Sequence, residues 1–155
     1  MPAHGTNMRS AKLMDGPGVS MTPTVLVVED VPVVRVLLAG FLRGSGFQVV
    51  EAVNGEEAIR VVEAGRPVQV VLSDVHMPGA SMDGLNLARW IHEHRPDLKV
   101  ILASGVKSTL APADARFHEG PLLQKPFKPE ELARRLRSAL GDEAADAALP
   151  TRRRR

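Results

Sequence analysis

Five polar residues stand where apolar runs stop. Glu29 and Asp30 follow "TVLVV", Asp74 follows "VQVVLS", Ser104 closes "KVILAS", and Lys125 follows "PLLQ". Three carboxylates brought to one point repel each other and call for a cation, and an all-oxygen donor set suits Mg2+. A lysine and a hydroxyl beside that ion would complete a site for a coordinated anion such as a phosphoryl group. Taken singly, each residue has a plainer reading. Acids after a strand often cap the next helix, Ser104-Gly105 is an ordinary turn, and Lys125 is an ordinary surface lysine. The chemistry depends on whether the elements of the chain bring the five together.

Apolar runs at 24–29, 47–52, 68–73, 99–104 and 121–124 read as buried strands. Helical patterns lie between them. The first carries the stripe Val33, Val34, Leu37, Leu38, Phe41 and Leu42 behind Pro32. Others cover 55–65, 83–95 and 128–140, the last with Pro129 near its first turn. Between the fourth and fifth strands, "GVKSTLAPADARFHEG" is interrupted by Pro112 and poorly amphipathic, which predicts an irregular or short fourth helix. Five alternating βα units specify an α/β fold, a doubly wound five-stranded parallel sheet with helices on both faces. In open sheets of this kind the site lies at the carboxyl ends of the strands. If the strand order is flavodoxin-like, strands one, three, four and five end side by side, and the five residues share one edge.

The bulk composition narrows the function further. At 155 residues, with 44% hydrophobic and 25% charged side chains, the chain is globular and holds one domain with some spare length. It has no cysteine, which excludes disulfides, thiolate metal sites and cysteine nucleophiles. No apolar stretch is long enough to span a membrane, and the first twenty residues lack the apolar core of a signal peptide, so a cytoplasmic protein without a membrane partner is expected. The net charge of +2 comes from the ends, since residues 24–140 hold fourteen Lys/Arg against fourteen Asp/Glu. With one Trp, no Tyr and no basic stripe in the folded part, DNA binding is not expected. The pattern divides the chain into a disordered leader over 1–22, a folded domain over 23–141, and a disordered tail over 142–155 that ends in Arg152 to Arg155.

"VLVVED", "VVLSDVHMPG" with the following "MDG", "VILASG" and "LLQKPF" occur in order at domain-scale spacing. In these stretches the chain resembles the receiver domain of two-component response regulators, over roughly Thr24 to Leu140. The resemblance implies that Asp74 is the phosphoacceptor, taking a phosphoryl group from a histidine kinase or histidine phosphotransfer protein as an acyl phosphate. It implies that Glu29 and Asp30 hold Mg2+, with Asp74 and the main-chain carbonyl of His76 as further ligands. Ser104 would hydrogen-bond a phosphoryl oxygen, and Lys125 would pair with the phosphoryl charge, aimed by a cis Lys125-Pro126 peptide. No module of output-domain size follows Leu140, so the resemblance is to a stand-alone receiver that signals to an unknown downstream protein by protein contacts. The helix face with Arg134, Arg135 and Arg137 is a candidate partner or homodimer surface.

Three departures from the family pattern stand out. Leu122 occupies the position, three before the lysine, where the family usually carries an aromatic switch residue. The loop "MPGASMDG" is about two residues longer than usual, which loops accept cheaply. The fourth helix is weak. These departures predict signalling by ordering of the segment from Val106 to Glu119 in place of an aromatic flip. The His76 ring is expected to face solvent, because hard oxygen ligands do not call for imidazole. Trp90 is expected to pack on its helix, and His92, His94 and His118 to be solvated. Two rival functions use the same sheet. A metal-dependent phosphohydrolase would want a second acid two residues after the nucleophile, where His76 stands. A phosphorylation-independent scaffold would not need the five polar residues.

Overall fold

The computed structural model describes residues 22–105 and 110–141, and within them strands and helices alternate as the apolar pattern requires. The strands are β1 (Thr24–Val28), β2 (Gln48–Ala52), β3 (Val70–Asp74), β4 (Lys99–Ser104) and β5 (Leu123–Gln124). The α-helices are α1 (Pro32–Gly44), α2 (Gly55–Glu63), α3 (Gly84–His94) and α4 (Pro129–Ala139). All strand pairs are parallel, in the order β2-β1-β3-β4-β5, which is the flavodoxin-like arrangement. The expected leader, apart from Thr22, and the expected tail over 142–155 lie outside the described residues. Among the described residues no helix is long and apolar enough to cross a membrane.

The strands read as continuous apolar runs because both faces of the sheet are covered. Side chains alternate along each strand. Leu26 and Val28 of β1 therefore pack with Val71, Leu87, Ile91 and Leu102 on the α2–α3 face. Val25 and Val27 pack with Leu72, Ile101, Leu42, Leu132 and Leu136 on the α1–α4 face. Helix starts are set locally. Asn54 caps α2 by accepting from the Glu57 N–H at 2.8 Å, while Glu57 Oε1 accepts from the Val53 N–H at 2.7 Å, a reciprocal capping pair. Asp83 caps α3 by accepting from the Asn86 N–H at 2.8 Å.

In the described part of the fourth crossover the helix is short and irregular, as its sequence predicts. It is a 3-10 helix, Pro112–Phe117, with no buried residue. Val106 to Thr109, the first part of the segment expected to order on signalling, lie outside the described residues.

Two helix faces differ from expectation. In α1 the buried positions are Ala39 and Leu42, whereas Val33 and Leu37 of the expected stripe are 63% and 68% exposed. The inward arc is displaced by about one residue, roughly 100°, and it takes in Arg35, whose guanidinium reaches the Glu29 carbonyl and the Glu51 carboxylate. On α4 the expected arginine surface is largely committed to the chain itself. Arg135 Nη2 donates to the carbonyls of Glu119 and Pro121, and Arg137 Nη2 donates to the Ser45 carbonyl. Among these three arginines, Arg134 is the exposed one.

Candidate functional site

The parallel register delivers the polar residues to one edge. Val28 of β1 is level with Ser73, Asp74 is level with Ala103, and Ser104 is level with Gln124. Glu29, Asp74, Ser104 and Lys125 therefore sit at the carboxyl ends of four adjoining strands, where loops leave the sheet and the backbone is no longer occupied by the ladder.

Three carboxylates converge there. Oxygens of Glu29, Asp30 and Asp74 lie within 4.8 Å of one another. Glu29 is buried, and Asp30 and Asp74 are half-buried. Lys125 closes the cluster, with Nζ 3.1 Å from Glu29 Oε1 and 3.5 Å from Asp74 Oδ1. The Lys125-Pro126 peptide is cis, as expected. Ser104 is fully buried at the end of β4, and its carbonyl accepts from the Lys125 N–H at 2.9 Å, which fixes the start of the lysine segment against β4. The His76 side chain is exposed, two residues beyond Asp74, as the plainer reading of that residue holds.

The electrostatics are those of a site prepared for a cation. Burial lifts the Asp74 carboxyl above its ordinary value of 3.8, Lys125 pulls it down, and the neighbouring charges of Glu29 and Asp30 push it up again. One ammonium faces three acids, an imbalance that a bound cation would offset. The donor set is oxygen only, with no sulfur and no imidazole in the group, which fits a small hard ion such as Mg2+.

The backbone under Asp74 is fixed on several sides. Ser73 Oγ donates to the Asp74 carbonyl at 3.0 Å, and the Val75 N–H donates to the Ala103 carbonyl at 2.8 Å. The start of α3 presses on the same point. The Gly84 N–H donates to the Val75 carbonyl at 2.9 Å, and a Cβ at Gly84 would collide with the Asp74 carbonyl and lie 2.9 Å from Val75 Cα. The loop between them turns at Gly79, where φ is 87°, a conformation that suits glycine. The longer loop is pinned by buried Met77 and by Ala80 and Met82, which rest on the core.

Several neighbours of the site were not picked out as such from the sequence. Arg35 and Gly84 are the clearest. A charge inside the apolar run "VVRVLL" was the signal for Arg35, since such a residue is paired when it turns inward. Leu122 is half-buried and packs against the core, so an aliphatic side chain fills the switch position. His118 departs from the solvated reading, because its Nδ1 is buried with no hydrogen-bond partner among the described residues. His92 meets the Phe117 ring edge-on and His94 stacks on Trp90 with ring centroids 4.4 Å apart. Trp90 packs as expected, half-buried against the core.

The chain is similar to known proteins along nearly all of this fold. Residues 25–137 match the response regulator receiver domain. A sensor kinase, CckA, of Brucella abortus is 36% identical over 137 residues, covering 85% of this chain and 14% of that protein. The first curated relatives are longer than this chain, which spans between 14% and 58% of their length. Among solved structures, the receiver domain of NtrX from Brucella abortus superposes with a TM-score of 0.69 at 30% identity, covering 76% of this chain and 98% of that one. The response regulator TrrA of Thermotoga maritima, solved in complex with Mg2+ and BeF, superposes with a TM-score of 0.69 at 29% identity, covering 77% of this chain and all of that one. The match over most of the folded residues, together with the shared sheet, places this chain in the response regulator receiver domain family.

Proposed function

We propose that this protein is a cytoplasmic phosphoacceptor of a two-component system or phosphorelay, with Asp74 receiving the phosphoryl group from a histidine kinase or histidine phosphotransfer protein. The observation that carries the reading is the cluster itself. Three carboxylates lie within 4.8 Å of one another at the strand ends, and Lys125 Nζ spans Glu29 and Asp74.

Each residue has a chemical task in this reading. An Asp74 carboxylate oxygen attacks phosphorus in line, a P–O bond forms, and the P–N bond to the donor imidazole breaks with its electron pair returning to the ring. Such a transfer passes through a loose transition state and depends on positioning and charge neutralisation. Lys125 supplies a positive charge within reach of the Asp74 carboxylate, and Ser104, at the adjoining strand end, offers a hydroxyl to a phosphoryl oxygen. Mg2+, held by Glu29, Asp30 and Asp74 and by the His76 main chain, would neutralise the developing phosphoryl charge when bound. The chain catalyses its own phosphorylation and slow dephosphorylation, without turnover of a separate substrate.

Signalling then runs through protein contacts. Val33, Val36 and Leu37 leave an apolar surface on α1 next to the site, of the kind that suits a protein partner. Binding of beryllofluoride, followed by 19F NMR, tests the proposal. A bound resonance that requires Mg2+ and is absent in Asp74→Asn supports it. No bound resonance in the wild-type chain would favour a phosphorylation-independent scaffold.

A further inference from the structure

Arg35 reaches the cation site from behind. It lies in the first turn of α1, and only 15% of its side chain is exposed although its chain neighbours are apolar. Nη1 donates to the Glu29 carbonyl at 2.9 Å, and Nε donates to Glu51 Oε1 on β2 at 3.2 Å. The rigid fork of the guanidinium suits a bridge between two fixed acceptors. Glu51 is itself held from a second side, with Arg43 Nη2 3.6 Å from its Oε2.

The oxygen that Arg35 holds belongs to the peptide joining Glu29 to Asp30. That peptide is planar, so its orientation is one variable, set by two soft dihedrals. It lies beyond the last β1 residue, where the strand ladder no longer fixes it. On the other side of Glu29, the N–H donates to the Ala52 carbonyl at 3.1 Å, and the carboxylate accepts from Val31 N–H at 3.2 Å and from Lys125 Nζ at 3.1 Å. With Arg35 in place, all four polar atoms of Glu29 are engaged. The direction in which the next residue, Asp30, presents its carboxylate follows from that peptide plane. Without a donor on the Glu29 carbonyl, the plane is free to turn, and repulsion from Glu29 and Asp74 would drive Asp30 away.

We propose that Arg35 is a positioning residue for the cation site, holding the Glu29–Asp30 peptide so that both carboxylates face Asp74 before the ion arrives. Glu51 holds Arg35 in that role. This rests on the receiver reading above and deepens it, since it assigns the readiness of the metal site to a residue that touches neither ion nor phosphoryl group. Outer partners of metal ligands characteristically change affinity about 10- to 100-fold.

The test is a calorimetric titration of Mg2+ into the full 155-residue chain, with melting temperature read in parallel without the ion. Arg35→Ala should weaken Mg2+ binding about tenfold. Arg35→Lys should recover part of the loss, because one ammonium can serve the carbonyl but not both acceptors. Glu51→Gln should weaken binding less, about threefold. An unchanged Mg2+ affinity in Arg35→Ala overturns the inference, whatever the melting temperature does, because Arg35 is then only a structural ion pair. If Arg35→Ala does not fold, Glu51→Gln carries the test, and wild-type affinity in that variant overturns the inference. A wild-type chain that binds no Mg2+ refutes the receiver reading and the positioning role together. Tight binding by wild type and variants alike breaks the positioning role alone.

Discussion

The two flanks of the strand-end site are held in opposite ways. At the β1 flank, all four polar atoms of Glu29 have partners, drawn from β2, α1, the following loop and Lys125. At the β4–β5 flank, the described part of the crossover holds a 3-10 helix with no buried residue, tied back by Arg89 to Asp114 at 3.1 Å and by Arg135 to the carbonyls of Glu119 and Pro121. The His118 Nδ1 there is buried without a hydrogen-bond partner among the described residues, which costs stability on that flank. The contrast separates two tasks. A flank that must present three like charges to an ion is best fixed in advance, since ordering costs are then met in folding. In the proposed reading the other flank reports the arrival of a phosphoryl group, a task that calls for a low local opening energy.

The comparison breaks first at the fixed flank. Asp30→Asn removes one of three carboxylates while leaving the Glu29 contacts intact, and Mg2+ affinity should fall about 100-fold, measured by calorimetry. A loss below about threefold would mean that Asp30 is not a ligand. The β4–β5 flank gives the next effect. Amide exchange over residues 110–119 should slow about tenfold when Mg2+ and beryllofluoride are added, while β1 and β2 stay unchanged. Equal exchange in both states would remove the idea that this crossover signals by ordering.

The smallest effect comes from the charge at the centre. Burial raises the Asp74 pKa above 3.8, so the folded chain keeps this proton to higher pH than the unfolded chain does. Stability contributed by this group therefore falls as pH rises from the ordinary value through the folded one, and is level above it. Asp74→Asn, which has no charge to bury, should melt about 4 °C higher than wild type at neutral pH without Mg2+. The gap should close at pH values below 3.8. A lower melting temperature for Asp74→Asn at neutral pH would show that attraction to Lys125 outweighs burial.

The sheet, its order and its strand-end residues were legible because each signal was local. A buried strand followed by an acid, a serine or a lysine can be read from a handful of residues, and alternation with helices fixes the rest. Facing was harder. The α1 stripe through Val33 and Leu37 looked inward, but the carbonyl and carboxylate that draw Arg35 in belong to Glu29 and Glu51, six and sixteen residues away along the chain. Arg135 and Arg137 looked free for the same reason, since their acceptors lie 14 to 16 and 92 residues away. Gly84 was read only as part of a motif. Its need for no side chain is set by the Asp74 backbone across the loop.

The central claim is that Asp74, and no other carboxylate of the cluster, takes the phosphoryl group. Incubation with acetyl phosphate and Mg2+, then borohydride reduction of the acyl phosphate and peptide mass analysis, reads the position directly. The account predicts that the reduced residue is Asp74, within the peptide around "VVLSDVHMPG", and that the signal disappears without Mg2+. Reduction at Glu29 or Asp30, or no reduced residue at all, would contradict it.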